Sequence, residues 1–296
     1  MVSDMHPLLI IDSDHLTYRS AASCEPTKTR LDRVELHIAI ARMEWSINNI
    51  FEKTGSDKYE MYIGGQDNFR KTLYPAYKAN RDKSVKPMWL EDCREHLMVK
   101  WGAKIVNGME VDDMCGIRLT ALNKKSWTNS VISGDFLSET RPICVSLDKD
   151  LLQIPGRHYN FVNDEHVVVS DLEGLRRFYK QIILGDLSDN VPGYDGKYRD
   201  KVPKFIKAMQ DPLDELADEV EMYEHVCNVY GGDVERVDLH AQLLYVLRKE
   251  EEYWQNPLKR SELKSLPQPG QRPENTASLS HSFVPDQGAG HPSTNA

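Results

Sequence analysis

Three carboxylates occupy four consecutive positions at Glu110-Val111-Asp112-Asp113. They follow the short apolar run Ala103-Lys104-Ile105-Val106 and open a segment whose apolar positions, Val111, Met114, Ile117, Leu119 and Leu122, recur near helical spacing. The pattern predicts a strand whose end delivers acids on the first turn of a helix. One or two acids there would merely complement the helix dipole. Three raise one another's pKa unless a cation sits among them, and a divalent metal is the usual remedy.

The same arrangement recurs along the chain. Leu8-Leu9-Ile10-Ile11 reads as a buried strand ending in Asp12-Ser13-Asp14, and Lys58 to Ile63 as a second strand, followed by Gly64-Gly65-Gln66-Asp67. Pro142 to Leu147 is a further strand, ending in Asp148-Lys149-Asp150. If the chain stays extended there, residues two apart project together, so Asp148 and Asp150 aim to one side. Helices are predicted over Leu31 to Lys53, closed by Gly55, and over Met88 to Trp101. Strands alternating with helices imply an α/β fold with a mostly parallel sheet flanked by helices, whose C-terminal strand tips share one edge. The tips at Asp12, Asp67, Glu110 to Asp113 and Asp148 to Asp150 would then converge.

A helix over Asp171 to Leu184, capped by Ser170 or Asp171, runs into Gly185-Asp186-Leu187-Ser188-Asp189-Asn190-Val191-Pro192-Gly193. Asp186 and Asp189, three apart, would share a helical face. The Gly, Asn and Pro predict a tight turn whose backbone N–H groups suit a phosphate. From Pro212 to Trp254 the chain reads as helices broken at Gly231-Gly232, and after Pro257 its Pro, Gln, Ser, Gly and His content predicts disorder.

A formal net charge of -9 would argue against a nucleic-acid partner if it were evenly spread over the 296 residues. It is not. Arg70, Lys71, Lys78, Arg81, Lys83 and Lys86 face only Asp82, with Tyr74 and Tyr77 interleaved, and Lys197, Arg199, Lys201, Lys204 and Lys207 form a second basic stretch. Cations beside rings suit a nucleic-acid strand, although a solvated basic loop accounts for the composition equally well. The five scattered cysteines form no C-x-x-C pair and point to a reducing compartment. No apolar run reaches membrane-spanning length, so the expectation is a cytoplasmic protein with no membrane partner.

So many carboxylates without His or Cys ligands specify a hard cation, Mg²⁺ or Mn²⁺. Two ions roughly 3.5–4 Å apart suit in-line attack on a phosphodiester, and neighbouring basic residues would stabilise charge on the phosphate.

Ile11-Asp12-Ser13-Asp14, Tyr77-Lys78-Ala79-Asn80-Arg81, Glu110-Val111-Asp112-Asp113, Ser146-Leu147-Asp148-Lys149-Asp150 and Gly185-Asp186-x-x-Asp189-Asn190-x-x-Gly193 together resemble the structure-specific 5′-nuclease family of flap endonucleases and polymerase 5′-nuclease domains. Asp67-Asn68-Phe69-Arg70-Lys71 followed by Tyr77 to Arg81 looks closest to phage exonucleases of the T-seven type. The resemblance covers about residues 8 to 210. It implies a PIN-like catalytic domain over 1–170, a helix-hairpin-helix type and helical DNA-binding region over 171–257, and a tail over 258–296.

Carried over by motif, Asp12, Asp67, Glu110, Asp112, Asp113, Asp148, Asp150, Asp186 and Asp189 would hold two metal ions, with Asp112 and Asp148 central to catalysis. Lys78 and Arg81 would contact the scissile phosphate. Arg70, Lys71, Tyr77, Asn190, Gly193, Gly196 and Lys201 would contact nucleic acid, Tyr77 by stacking. The substrates implied are DNA 5′ ends, nicks or flaps, with RNA primers in hybrids, and the partners replication proteins, in phage replication or host DNA degradation within the host cytoplasm.

The chain departs from the family where Lys197-Tyr198-Arg199-Asp200-Lys201 follows Gly196 without the second hairpin glycine, which sets a potassium ion there in question. Gln181, with Lys180 beside it, stands nearest to a lysine that relatives carry before Gly-Asp. The span from Gln66 to Met88 is short for a threading arch, which favours a 5′-3′ exonuclease over a flap endonuclease. The rivals are a PIN-type ribonuclease and a non-catalytic replication protein.

Overall fold

The computed structural model describes residues 6–81, 85–133, 141–196 and 202–260, the side chains of 125–133 aside. Lys83, Lys197, Arg199, Lys201 and the tail from 261 onward lie outside the described residues.

Strand β1 (Leu9–Asp12) is buried along its whole length because it lies inside a six-stranded sheet. It pairs in parallel with β2 (Tyr59–Gly64) on one side and β4 (Ile143–Val145) on the other. Beyond them lie β3 (Lys104–Val106) and β5 (Gly156–Asn160), both parallel, in the order β3-β2-β1-β4-β5-β6. The edge strand β6 (Glu165–Val169) is antiparallel to β5, a hairpin that the sequence pattern does not announce because only Val169 of β6 is buried.

Alternate residues of β1 feed opposite faces, as a pleat requires. Leu9 and Ile11 pack with Met43, Ile47, Ile50 and Leu97 under α1 (Asp14–Ala22), α2 (Leu36–Thr54) and α4 (Leu90–Trp101). Ile10 packs on the other face with Val111, Cys115 and Leu119 of α5 (Val111–Ser133). Between β2 and α4 the basic stretch contributes α3 (Phe69–Leu73) and a 3-10 turn at Ala79–Arg81.

The helices α6 (Asp171–Leu184), α7 (Lys204–Gln210), α8 (Glu219–Val229) and α9 (Val234–Leu244) enclose a separate apolar cluster containing Phe178, Ile182, Met222, Val226 and Leu244. Ser170 is the α6 cap: its hydroxyl accepts from the Glu173 N–H at 3.2 Å, and Glu173 returns the bond to Ser170 N. After α9 the chain returns across α5. A Cβ on Gly116 would stand 2.6 Å from the Leu247 carbonyl, so only glycine lets the two segments cross this closely.

Among the described residues no helix is long and apolar enough to cross a membrane.

Candidate active site

Because five strands run parallel, the ends of β1, β3 and β4 bring Asp12, Glu110 to Asp113 and Asp148 to one edge of the sheet. Asp12 is buried, accepting from Ser146 Oγ at 2.8 Å and bonded to His15 Nδ1 at 2.8 Å. Ser146 Oγ also accepts from the Asp148 N–H at 3.0 Å, so one hydroxyl ties two strand tips together.

Asp148 and Asp150 do not share a side through an extended chain. The backbone turns into a 3-10 helix at Asp150–Gln153, and the Asp150 N–H donates to Asp148 Oδ1 at 2.8 Å. This turn still leaves the two carboxylates within electrostatic reach of each other. Burial, then Asp148, Asp186 and Asp189, push Asp150 up to about 8. Burial, then Asp148, Asp12 and Glu110, push Asp112 well above the usual carboxylate range, and burial also raises Asp148. Among the described residues no lysine or arginine is ion-paired with Asp12, Asp112, Asp148 or Asp150.

The other acids are answered by protein cations. Glu110 and Asp189 both accept from the Tyr77 hydroxyl, at 2.9 and 2.8 Å. Lys78, at φ 56°, bonds Glu110 and stands 3.4 Å from Asp189, while Arg81 bonds Asp189. Burial works to raise Glu110, yet Lys78 and Arg70 hold it below its ordinary range. The Tyr-Lys-Ala-Asn-Arg motif is thereby docked on the Gly-Asp-x-x-Asp-Asn loop. Further ties are Lys78 N–H to Asp189 O, Asn80 Nδ2 to Leu187 O and Asn190 Nδ2 to Ala76 O, at 2.9, 2.8 and 2.7 Å.

Several expectations from the sequence need correction. Asp113 is fully buried in a two-pronged pair with Arg70, at 2.6 and 2.8 Å, and accepts from the Glu110 and Leu247 N–H groups. With its oxygens taken, it has none to offer a metal. Arg70 is itself 3% exposed and donates its remaining hydrogens to the Leu243 and Tyr245 carbonyls, so it fastens the C-terminal segment and does not face nucleic acid. Tyr77 is buried with its hydroxyl engaged, which removes it from base stacking.

Asp186 and Asp189 lie on a turn outside any helix. Asp186 Oδ1 accepts from the Ser188 N–H and hydroxyl, and the loop's own carbonyls take the N–H groups of Asp186, Asp189, Asn190 and Val191. No row of amides is left for a phosphate. Asn190 spends its amide on Ala76, and Gly193 is a close-packing position whose added Cβ would stand 2.5 Å from Gly185 N. Asp67 is exposed on the loop after β2, Lys71 is exposed on α3, and Gly196 is half-buried at φ 74°, where an added Cβ would stand 3.3 Å from Pro192 Cβ. His15 and Gln153, both bound to this centre, escaped the sequence reading; a histidine three residues after a tip aspartate is the signal for the first.

No family model matches the chain. Over 144 residues, 43% of its length, it is 28% identical to DNA polymerase I of Borreliella burgdorferi, and it spans 14% of that polymerase. The bacteriophage T5 flap endonuclease, in a complex with DNA and metal ions, superposes with a TM-score of 0.56 at 16% identity, covering 81% of this chain and 89% of the phage protein. The chain has the phage 5′-nuclease fold. A T5 5′-exonuclease variant superposes with a TM-score of 0.51 at 16% identity, over 81% of this chain and 87% of that one.

Among the described residues no three carboxylates, imidazoles or thiols meet at one coordination point. Buried Asp12 and half-buried Asp112, Asp148 and Asp150 nonetheless fit a hard divalent ion by chemistry: they are oxygen donors, mutually repelling and, among the described residues, without a lysine or arginine ion pair.

Proposed function

We propose that this chain is a divalent-metal-dependent 5′-nuclease that hydrolyses phosphodiester bonds of DNA at ends, nicks or flaps, with exonucleolytic release of nucleotides its main mode. The observation that carries the reading is the group of tip aspartates, buried Asp12 and half-buried Asp112, Asp148 and Asp150, with which no lysine or arginine of the described residues is ion-paired, on a 5′-nuclease fold. These four would hold two Mg²⁺ or Mn²⁺ ions, with Asp186 and Asp189 near enough to act through water. Such ions lower the pKa of a bound water and stabilise charge on the leaving oxygen.

The chain's own residues supply the rest. Lys78, just before the 3-10 turn, and Arg81, at its end, stand beside the acids, and in the substrate complex they exchange Glu110 and Asp189 for the oxygens of the scissile phosphate. Tyr77 holds Glu110 and Asp189 together from below, keeping the basic turn seated on the loop. Lys71, exposed on α3, extends the positive surface along the substrate, and Lys201, also proposed to contact DNA, lies outside the described residues. The division into a catalytic part over 1–170 and a DNA-holding part over 171–257 belongs to this reading, as do RNA-DNA hybrids, replication partners and a cytoplasmic site of action.

The test is digestion of end-labelled nicked, flapped and RNA-primed duplexes with and without Mg²⁺, with product sizing. Mononucleotides from 5′ termini only with the ion are expected. Flap-length fragments would make the enzyme a flap endonuclease, and intact DNA in every lane would overturn the reading.

A further inference from the structure

Gln181 stands on the last turn of α6, beside Asp150, at the position where sequence reading looks for a lysine. Its surroundings fix which way its amide points. The fully buried Gln153 accepts from the Val246 N–H through Oε1 at 3.3 Å. Its Nε2 must therefore donate, and it does so twice, to the Leu244 carbonyl at 2.8 Å and to Gln181 Oε1 at 2.7 Å. With its oxygen used, Gln181 has only its NH₂ to turn the other way, toward the cavity whose wall it shares with Asp150, where it favours the ionised form of that carboxyl. Every amide in this row is oriented by the one before it, and reversing any of them would set oxygen against oxygen.

The row starts on the C-terminal segment. Leu244 and Val246 follow from α9, and Arg248 adds a bond to the Gln153 carbonyl at 3.1 Å. Gln153 closes the same 3-10 turn that Asp150 opens, so that turn is gripped at both ends. What reaches Asp150 is a neutral donor. A lysine at 181 would bring a positive charge that satisfies the carboxylate and competes with an ion. An amide takes one lone pair, fixes the rotamer and leaves the negative charge in place.

Resting on the nuclease reading above, we infer that Gln181 is a positioning residue: through the Val246–Gln153–Gln181 amide row, the C-terminal segment holds the Asp150 carboxylate in orientation for a divalent cation without neutralising it. The claim concerns ion affinity first and turnover second. It also makes the last strand-like stretch of the chain part of the ion site, although none of its side chains touches the acids in this row.

The experiment titrates Mn²⁺ into DNA-free full-length protein by calorimetry, for wild type, Gln181→Met and Gln181→Lys. DNA affinity in EDTA and single-turnover cleavage are measured in parallel. Gln181→Met, close in volume but unable to donate, should weaken Mn²⁺ binding about tenfold, the usual effect of losing an outer partner of a ligand, and slow cleavage with DNA affinity in EDTA unchanged. Gln181→Lys should weaken Mn²⁺ binding at least as much. Either variant binding Mn²⁺ as tightly as wild type overturns the inference, and so does a fall in DNA affinity in EDTA equal to the fall in cleavage. If wild type itself neither binds Mn²⁺ nor cuts, the nuclease reading fails with it; if wild type does both and Gln181→Met matches it, only the amide row loses its role.

Discussion

The acids gathered at the sheet edge fall into two groups that the protein treats in opposite ways. Glu110, Asp113 and Asp189 are each ion-paired with a cation of the protein itself, Lys78, Arg70 and Arg81 respectively. Asp112, Asp148 and Asp150 are half-buried, and other carboxylates raise them, Asp148 acting on Asp112 and Asp150, and Asp12 on Asp112 and Asp148. The matched group does structural work: Arg70 and Asp113 join three segments far apart in sequence, and Lys78 and Arg81 seat the basic turn on the Asp189 loop. The unmatched group stores repulsion, which the folded chain tolerates only as a fraction of its total stability. A crowd of acids is therefore not by itself a metal site; the acids that lack an internal cation are the ones to watch.

The sharpest way to break this comparison is to neutralise one acid from each group. Asp112→Asn and Asp148→Asn should lower Mg²⁺-dependent cleavage by about 10³-fold or more, roughly 4 kcal/mol of barrier. DNA binding in EDTA should persist, and melting in EDTA should rise because a repelling charge is gone. A variant cutting at wild-type rate would remove that residue from the ion site. Arg70→Met should instead cost stability, about 3–5 kcal/mol, because Asp113 is left charged and buried without its partner. Denaturant unfolding reads this directly. A loss below about 1 kcal/mol would show that the pair is not the clamp described.

Lys78→Ala lies between these extremes. It removes a cation expected to meet the phosphate, so single-turnover cleavage should fall about 10²-fold. An unchanged rate would take Lys78 out of the chemistry and leave it a structural partner of Glu110.

The two groups were not equally legible in the sequence. Apolar runs ending in acids marked β1 and β4, because burial of a central parallel strand writes itself as a continuous apolar stretch, while β3, an outer strand exposed at Lys104 and Ile105, was marked by the acids that follow it. Which acids would be consumed internally was not written anywhere local. Asp113 finds Arg70 from 43 positions away, and Arg70 in turn finds Leu243 and Tyr245 across more than half the chain. The expected extended tip at Asp148 to Asp150 was replaced by a 3-10 turn, since an aspartate accepting the N–H two residues on favours a turn over a strand. The antiparallel β5–β6 pair was invisible because β6, at the sheet edge, buries too little to show a period.

Asp150 and Glu110 should also respond to pH with opposite signs. Asp150 ionises near 8 in the fold and near 3.8 when unfolded, so between these values the folded state holds the extra proton. In EDTA its contribution therefore weakens the fold as pH rises from about 4 to about 8. Glu110 is held below its ordinary 4.5, so the stability it contributes is present above that value and disappears as pH falls through its lowered one. Melting in EDTA should thus pass through a maximum on the acid side of neutrality and decline toward pH 8. Saturating Mg²⁺, or Asp150→Asn, should flatten the decline, and a decline that survives both would place its origin elsewhere.

The smallest effect is expected at Arg81, and it tests whether the matched group is matched by burial or by sequence motif alone. Arg81 and Lys78 belong to one turn and share Asp189, but the Arg81 side chain is 52% exposed and that of Lys78 18%. Water screens an exposed pair, so Arg81→Gln should change folding stability by less than about 1 kcal/mol, with a larger cost at Lys78→Met. If the motif mattered more than burial, the two substitutions would cost the same. The cleavage defects should separate likewise, because an exposed guanidinium at the rim can be replaced by solvent and other surface cations, while among the described residues no other lysine or arginine is ion-paired with both Glu110 and Asp189.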